Sequence, residues 1–97
     1  MPKGYIVAEL QITNRGDEFL EYRDKVLATV TAHGGRFLVR GGDPRTVEGE
    51  GFGAPLVIIE FDSPEQAMGW YNSAEYQAIL PLRLRNATGR LSCAMGV

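Results

Sequence analysis

The sequence has 97 residues, of which 44% are apolar and 23% are charged, and its net charge is -2. These values are typical of one globular domain spanning 1–97, and they argue against disorder, against a membrane partner and against nucleic acid, which needs dense basic patches. A lone cysteine cannot form an internal disulfide, and no export signal is visible at the N-terminus, so we expect a cytoplasmic protein.

The first two predicted elements are a strand and a helix. Residues Tyr5 to Ile12 alternate between two sets of side chains, which predicts a strand. A turn over Asn14–Asp17 ends in a good N-cap residue, and apolar residues then recur at helical spacing from Phe19 to Val30. Because Gly34-Gly35 stops this pattern, the helix is predicted to have about 16 residues.

The next two predicted elements are strands joined by a long loop. Arg36 to Arg40 alternates again, and Leu56 to Phe61 is apolar on both faces apart from Glu60. Between them, Gly41–Gly53 is rich in glycine, which predicts an extended and mobile hairpin loop.

Two further helix starts and a last strand complete the pattern. Ser63 is followed by Pro64 and, three residues after the serine, by Gln66, which together predict a capping box. Ser73 is a second N-cap, and the helix that it starts contains Pro81, which we expect to bend or divide it. Residues Gly89 to Met95 are predicted to form the fourth strand.

The order βαββαβ predicts an α+β, ferredoxin-like fold: a four-stranded antiparallel sheet with the helices on one face. The side chains predicted to face the helices are Ile6, Ala8, Leu10, Phe37, Val39, Val57, Ile59, Phe61, Leu91 and Cys93. Those left on the open side are Tyr5, Val7, Leu38, Leu56 and Ile58. Burying such a side chain is worth about 1.5–3 kcal/mol, so we expect a second copy to cover this face in a homodimer.

Several segments together resemble a known family. They are Gly34–Gly42, Glu48-Gly49, Ile59–Phe61 and Trp70–Gln77. The chain resembles, over nearly its whole length, the family catalogued as domain of unknown function 1330 (DUF1330), within the dimeric α/β-barrel superfamily. The resemblance implies a fold and a dimer but no chemistry, since the superfamily includes cofactorless monooxygenases, muconolactone isomerase and haem-binding chlorite dismutases.

This sequence departs from the DUF1330 pattern at two positions. Pro55 stands where family members often have an arginine, which puts in doubt an anion site built on that arginine. Ala74 stands where a proline is common, which affects only the start of a helix.

A first candidate site lies on the open sheet face. Glu9, Arg36, Arg40 and Glu60 are predicted to lie there, with Arg36 opposite Glu60 and Arg40 opposite Leu56. One interpretation is that these charges fix the register of a dimer through ion pairs. The alternative is that Arg40 and Glu60 belong to a polar site that holds an anionic or carbonyl ligand.

A second candidate site lies between the sheet and the helices. The side chains that could line it are Tyr22, His33, Trp70, Tyr71, Tyr76 and Arg83, and aromatic walls suit planar ligands. The alternative is that Tyr22, Trp70 and Tyr76 are core residues. His33 suits a general base by its pKa, but its place before Gly34 also suits an interaction with the terminal carbonyls of the helix.

No residue spacing indicates a metal or a cofactor. One histidine, one cysteine and scattered carboxylates match no usual ligand pattern, and Gly49–Gly53 leads into a strand, so no helix N-terminus is available for a phosphate. Cys93 alternates with core positions, which predicts a buried and inert thiol.

Three functional hypotheses follow. The leading one is a dimeric protein that binds a small aromatic or anionic molecule. The second is a cofactorless oxygenase or isomerase in which Tyr71 or His33 moves a proton and Arg83 stabilises an anion. The third is a structural or partner-binding module without catalysis.

Overall fold

The computed structural model describes residues 2–97 and contains four strands and three helices. Their bounds are β1 Gly4–Ile12, α1 Asp17–Ala32, β2 Arg36–Gly41, β3 Leu56–Phe61, α2 Pro64–Tyr71, α3 Ala74–Leu84 and β4 Ala87–Met95. All four strands and all three helix starts were predicted, and the strand bounds and helix starts differ from prediction by no more than two residues.

The four strands form one antiparallel sheet in the order β2-β3-β1-β4. In the central strands, Ile6 and Ala8 of β1 and Ile59 and Phe61 of β3 are buried, and the residues between them are only partly so. This alternation arises because the helices cover one face alone. The predicted ferredoxin-like α+β fold is therefore confirmed.

A β-bulge at Leu38 interrupts the pairing of β2 with β3. Arg36 faces Glu60 as predicted, but the register shifts between Phe37 and Val39, so that Arg40 faces Val57 and not Leu56. The extra residue reverses the side of the sheet on which the following side chains lie. The predicted places of Val39 and Arg40 were thus wrong: Val39 lies on the open face and Arg40 on the helix face.

Local hydrogen bonds stabilise the start of each helix. The backbone N–H of Gln66 donates to Ser63 Oγ, and that of Tyr76 donates to Ser73 Oγ, which confirms both predicted caps. The N-cap predicted for α1, Asp17, was wrong: Asp17 is the first helical residue, and the N-cap is Gly16, whose N–H donates to Asn14 Oδ1. α3 runs through Pro81 without being divided.

The core lies between the sheet and the helices, with Trp70 and Tyr76 near its centre. Its buried members are Ile6, Val26, Val30, Ile59, Phe61, Ala67, Trp70, Tyr76, Ile79 and Leu80. Cys93 lies on the edge strand β4 and is exposed, so the predicted burial of its thiol was wrong. No helix within residues 2–97 is long and apolar enough to cross a bilayer.

Candidate functional site

A cleft of about 290 Å³ opens between α1 and the helix-facing side of the sheet. One wall is the face of α1 that carries Phe19, Tyr22 and Val26, residues at i, i+3 and i+7. The opposite wall is formed by apolar side chains of all four strands, and Trp70 closes one side. The cleft therefore offers apolar and aromatic surfaces to a small guest.

Three arginines line this cleft, and none of its lining residues in the described chain is acidic. Arg15 precedes α1, with its Cζ 5.5 Å from the centre of the Phe19 ring. Arg40 lies with its Cζ 4.7 Å from the centre of the Phe37 ring, and its Nη2 donates to the carbonyl oxygen of Arg23 at 3.4 Å. All three arginines are exposed, so the cleft has an apolar interior and a cationic margin.

Arg40 belongs to this cleft because of the bulge. Without the extra residue at Leu38, the predicted alternation would have put Arg40 on the open face with Glu60. The two residues predicted to share one polar site therefore lie on opposite sides of the sheet.

Tyr22, Tyr76 and Arg83 form a polar cluster between α1 and α3. The hydroxyl oxygens of Tyr22 and Tyr76 are 2.9 Å apart, and Arg83 Nε donates to Tyr76 Oη at 3.3 Å. Tyr22 reaches the cleft, whereas Tyr76 and Arg83 lie behind it and are buried. Burial, followed by the neighbouring Tyr76, raises the pKa of Tyr22, so this phenol stays protonated.

Trp70 serves both the core and the cleft. It is 1% exposed, its ring centre lies 4.2 Å from that of Tyr76, and its Nε1 donates to Thr29 Oγ1 at 3.0 Å. The hydrogen bond satisfies the only polar group of the indole inside the core. The same ring therefore packs as predicted for a core residue and lines the cleft as predicted for a binding residue.

His33 and Tyr71 are not among the residues that line the cleft. His33 caps α1 and its Nε2 is 3.0 Å from Glu75 Oε2, a contact that lowers the pKa of the glutamate. Tyr71 packs its ring against Tyr76, with centres 5.6 Å apart. Arg83, the third residue named for the enzyme hypothesis, does not line the cleft either, so none of the three residues of that hypothesis reaches the cleft.

Glu60 lies on the open face of the sheet. Tyr5 donates its hydroxyl to Glu60 Oε2 at 2.8 Å, and Arg36 Nη2 lies 2.6 Å from Glu60 Oε1. Both contacts, the tyrosine first, lower the pKa of Glu60. The carboxylate is thus ionised and paired, and the sheet separates it from the cleft.

Sequence reasoning missed Arg15, Arg23 and Phe19 as lining residues. A signal was present, since Phe19, Tyr22, Arg23 and Val26 share one face of a helix at i, i+3, i+4 and i+7. Only the apolar members of that face entered the prediction. Within the described chain, no cluster of three or more histidine, cysteine, aspartate or glutamate side chains could hold a metal ion.

A family profile described as "Domain of unknown function (DUF1330)" matches residues 3–97. No curated protein matches the chain. Two solved structures from Rhodopseudomonas palustris are similar. The RPA0582 protein of unknown function has a TM-score of 0.73 at 13% identity, over 99% of this chain and 83% of its own. The methylated RPA0582 protein has a TM-score of 0.72 at 13% identity, over 99% of this chain and 82% of its own. At this identity the likeness concerns the fold alone.

Proposed function

Because this chain belongs to the DUF1330 family of domains of unknown function, its activity has to be inferred from its own side chains, and we propose that it binds a small anionic molecule with an aromatic or apolar body. The ligand lies in the cleft between α1 and the sheet. The observation that carries the proposal is the bulge at Leu38, which turns Arg40 toward an apolar cleft whose lining has no acidic residue.

Charge supports an anionic ligand. The chain as a whole is acidic, with a net charge of -2, yet three arginines gather at this one opening. None of Arg15, Arg23 and Arg40 forms a salt bridge within residues 2–97. A guanidinium group presents parallel N–H donors that match a carboxylate, so a ligand carboxylate would supply the partner that these cations lack.

Shape and wall composition support a planar body of one or two rings. A volume of about 290 Å³ is at the small end of ligand pockets. Phe19, Tyr22, Phe37 and Trp70 offer ring faces and edges, which pack well against another aromatic ring. An aromatic carboxylate satisfies both requirements.

Binding is a better assignment than proton transfer. The cleft lining, taken over the described residues, contains no histidine and no carboxylate that could serve as a base. Tyr22 is the titratable phenol of the lining, and its pKa is raised by burial. A cofactorless reaction would need a base within hydrogen-bonding distance of its substrate.

The second part of the proposal is a homodimer that forms through the open sheet face. The central strands present Tyr5, Val7, Leu56 and Ile58 there, which are only partly buried in one chain. Glu60 is paired with Arg36 and Glu9 with Arg90 on this face, so a second copy can cover it without leaving either carboxylate unpaired. Two-fold symmetry lets the same surface serve both partners.

Calorimetric titration with benzoate and benzamide tests the ligand proposal. The two molecules have nearly the same shape, but only benzoate is charged. We expect benzoate to bind at least about tenfold more tightly, because only its carboxylate gains the charge-assisted bonds. Equal affinity for both would contradict an anionic ligand, and failure of benzoate, naphthoate and other aromatic carboxylates to bind at millimolar concentration would overturn the assignment.

A further inference from the structure

In the polar cluster of Tyr22, Tyr76 and Arg83, a count of donors and acceptors shows which group donates and which accepts in each hydrogen bond. The three groups connect the buried space between α1 and α3 to the cleft. This assignment of donors decides which hydroxyl hydrogen remains available to a ligand in the cleft.

Arg83 fixes one end. It is 7% exposed, and no carboxylate of residues 2–97 forms a salt bridge with it. A guanidinium group has only donors, so in its contact with Tyr76 the nitrogen donates and the hydroxyl oxygen accepts.

Tyr76 fixes the next step. It is fully buried, and within the described chain its hydroxyl has two hydrogen-bond partners, Arg83 Nε and Tyr22 Oη. Its own hydrogen cannot go to the arginine, and a buried O–H without an acceptor costs about 1–3 kcal/mol. Tyr76 therefore donates to Tyr22.

The hydroxyl hydrogen of Tyr22 is consequently left without a protein acceptor. Within residues 2–97 the other polar group beside this hydroxyl is Arg83, which can only donate, and Tyr22 is the member of the cluster that lines the cleft. We propose that Tyr22 donates this hydrogen to an oxygen atom of the ligand, with Tyr76 and Arg83 acting as positioning residues. The inference rests on the proposed ligand site and narrows its ligand class.

That class is an aromatic carboxylate with a second oxygen acceptor, such as a keto group. Its carboxylate pairs with the arginines at the margin, and its second oxygen accepts from Tyr22. A site that offers a buried donor selects against an analogue that lacks the matching acceptor. A raised pKa keeps Tyr22 protonated, so the donor persists at neutral pH.

Two near-isosteric probes, para-acetylbenzoate and para-isopropylbenzoate, test the inference by calorimetry. The quantity compared is the preference, defined as the dissociation constant of the isopropyl compound divided by that of the acetyl compound. We expect Tyr22→Phe to lower this preference about three- to tenfold, the value of one hydrogen bond. Tyr5→Phe is the matched control, since it removes one hydrogen-bonded phenol on the opposite face of the sheet.

Arg83 variants separate positioning from structural support. In Arg83→Met, Tyr76 loses its donor and Tyr22 becomes free to donate to Tyr76, so the preference falls about threefold. Arg83→Lys keeps a donor and retains the preference. If Arg83→Met does not fold, Tyr22→Phe decides the question.

The two proposals fail in different ways. If both probes bind and the preference is unchanged in Tyr22→Phe, the Tyr22 inference is overturned and the ligand site stands. If neither probe binds the natural sequence, the ligand site is overturned and the inference with it.

Discussion

Arg36 and Glu60 face each other across the β2–β3 pair, with Nη2 of the arginine 2.6 Å from Oε1 of the glutamate, whereas Arg40 on the same strand faces Val57. One short strand thus directs an arginine to each side of the sheet. The bulge at Leu38 makes this possible, because residues four apart on a regular strand share a face. The first arginine completes an ion pair on the open face, and the second reaches the cleft.

Replacement of Arg40 by methionine is expected to weaken benzoate binding about five- to tenfold and to leave benzamide binding unchanged. Methionine keeps an unbranched side chain but removes the charge and the donors. Calorimetry measures both affinities. Lys25→Met, which removes one positive charge from the exposed Lys25–Glu21 pair on α1, is the matched control and leaves benzoate affinity within about twofold. Equal loss in the two variants would point to net charge and not to Arg40.

Replacement of Val7 by lysine is expected to dissociate the proposed homodimer. Val7 lies on the open face of a central strand, where a two-fold axis brings like charges from both copies together. Sedimentation velocity at micromolar concentration should give twice the chain mass for the natural sequence and the single-chain mass for the variant. Val47→Lys, a change at a 93% exposed loop position, should leave the dimer intact. A natural sequence that sediments as a folded single chain would refute the dimer.

Replacement of Thr29 by valine is expected to destabilise the fold by about 1–3 kcal/mol, the cost of leaving a buried donor without an acceptor. Thr29 Oγ1 accepts the indole hydrogen of Trp70 and donates to the carbonyl oxygen of Val26 at 2.7 Å. Urea unfolding followed by far-ultraviolet circular dichroism gives the free energy of unfolding. Thr31→Val, on the exposed side of α1, should change it by less than about 0.5 kcal/mol. Equal effects would contradict the role assigned to the Trp70 bond.

Acidification is expected to release the loop after β2 from the sheet. Glu9 Oε2 accepts from the backbone N–H of Gly53 at 2.8 Å, and this bond, followed by that from Arg90, lowers the pKa of Glu9. The contact therefore stabilises the folded chain above the ordinary pKa of glutamate and is lost as the pH falls through the lowered value.

The amide proton shift of Gly53 in NMR spectra measures this titration. It should follow a midpoint below the usual pKa of glutamate, and Glu9→Gln should abolish the transition. Glu50→Gln, in the same loop, should leave it in place. A Gly53 shift that stays flat with pH in the natural sequence would contradict the contact.

The helices and strands were predictable because their signals are local. Ser63 and Ser73 accept the backbone bonds that their spacing predicted, and the period-two pattern of Tyr5 to Ile12 forms a strand. The face of Arg40 was not predictable in this way. A bulge depends on how two strands pair in space, and the sequence of β2 has no glycine at Leu38 that would indicate one.

Of the residues that line the candidate site, the sequence predicted aromatic ones but not the arginines of α1 and the turn before it. Tyr22 and Trp70 follow from apolar spacing, but Arg15 and Arg23 are polar residues on an otherwise solvated helix surface. Their relation to Arg40 arises from the tertiary packing of α1 over β2. The exposure of Cys93 was missed for a related reason, since the alternation of β4 does not reveal that this strand lies at the edge of the sheet.

Trp70 is the single tryptophan of the chain, and it lies in the wall of the cleft. All indole emission from an unlabelled sample therefore comes from one ring beside the binding space. A ligand that packs against this ring would shift the wavelength or change the intensity of the tryptophan fluorescence. Large chemical collections can accordingly be screened with the natural sequence, without attaching a dye.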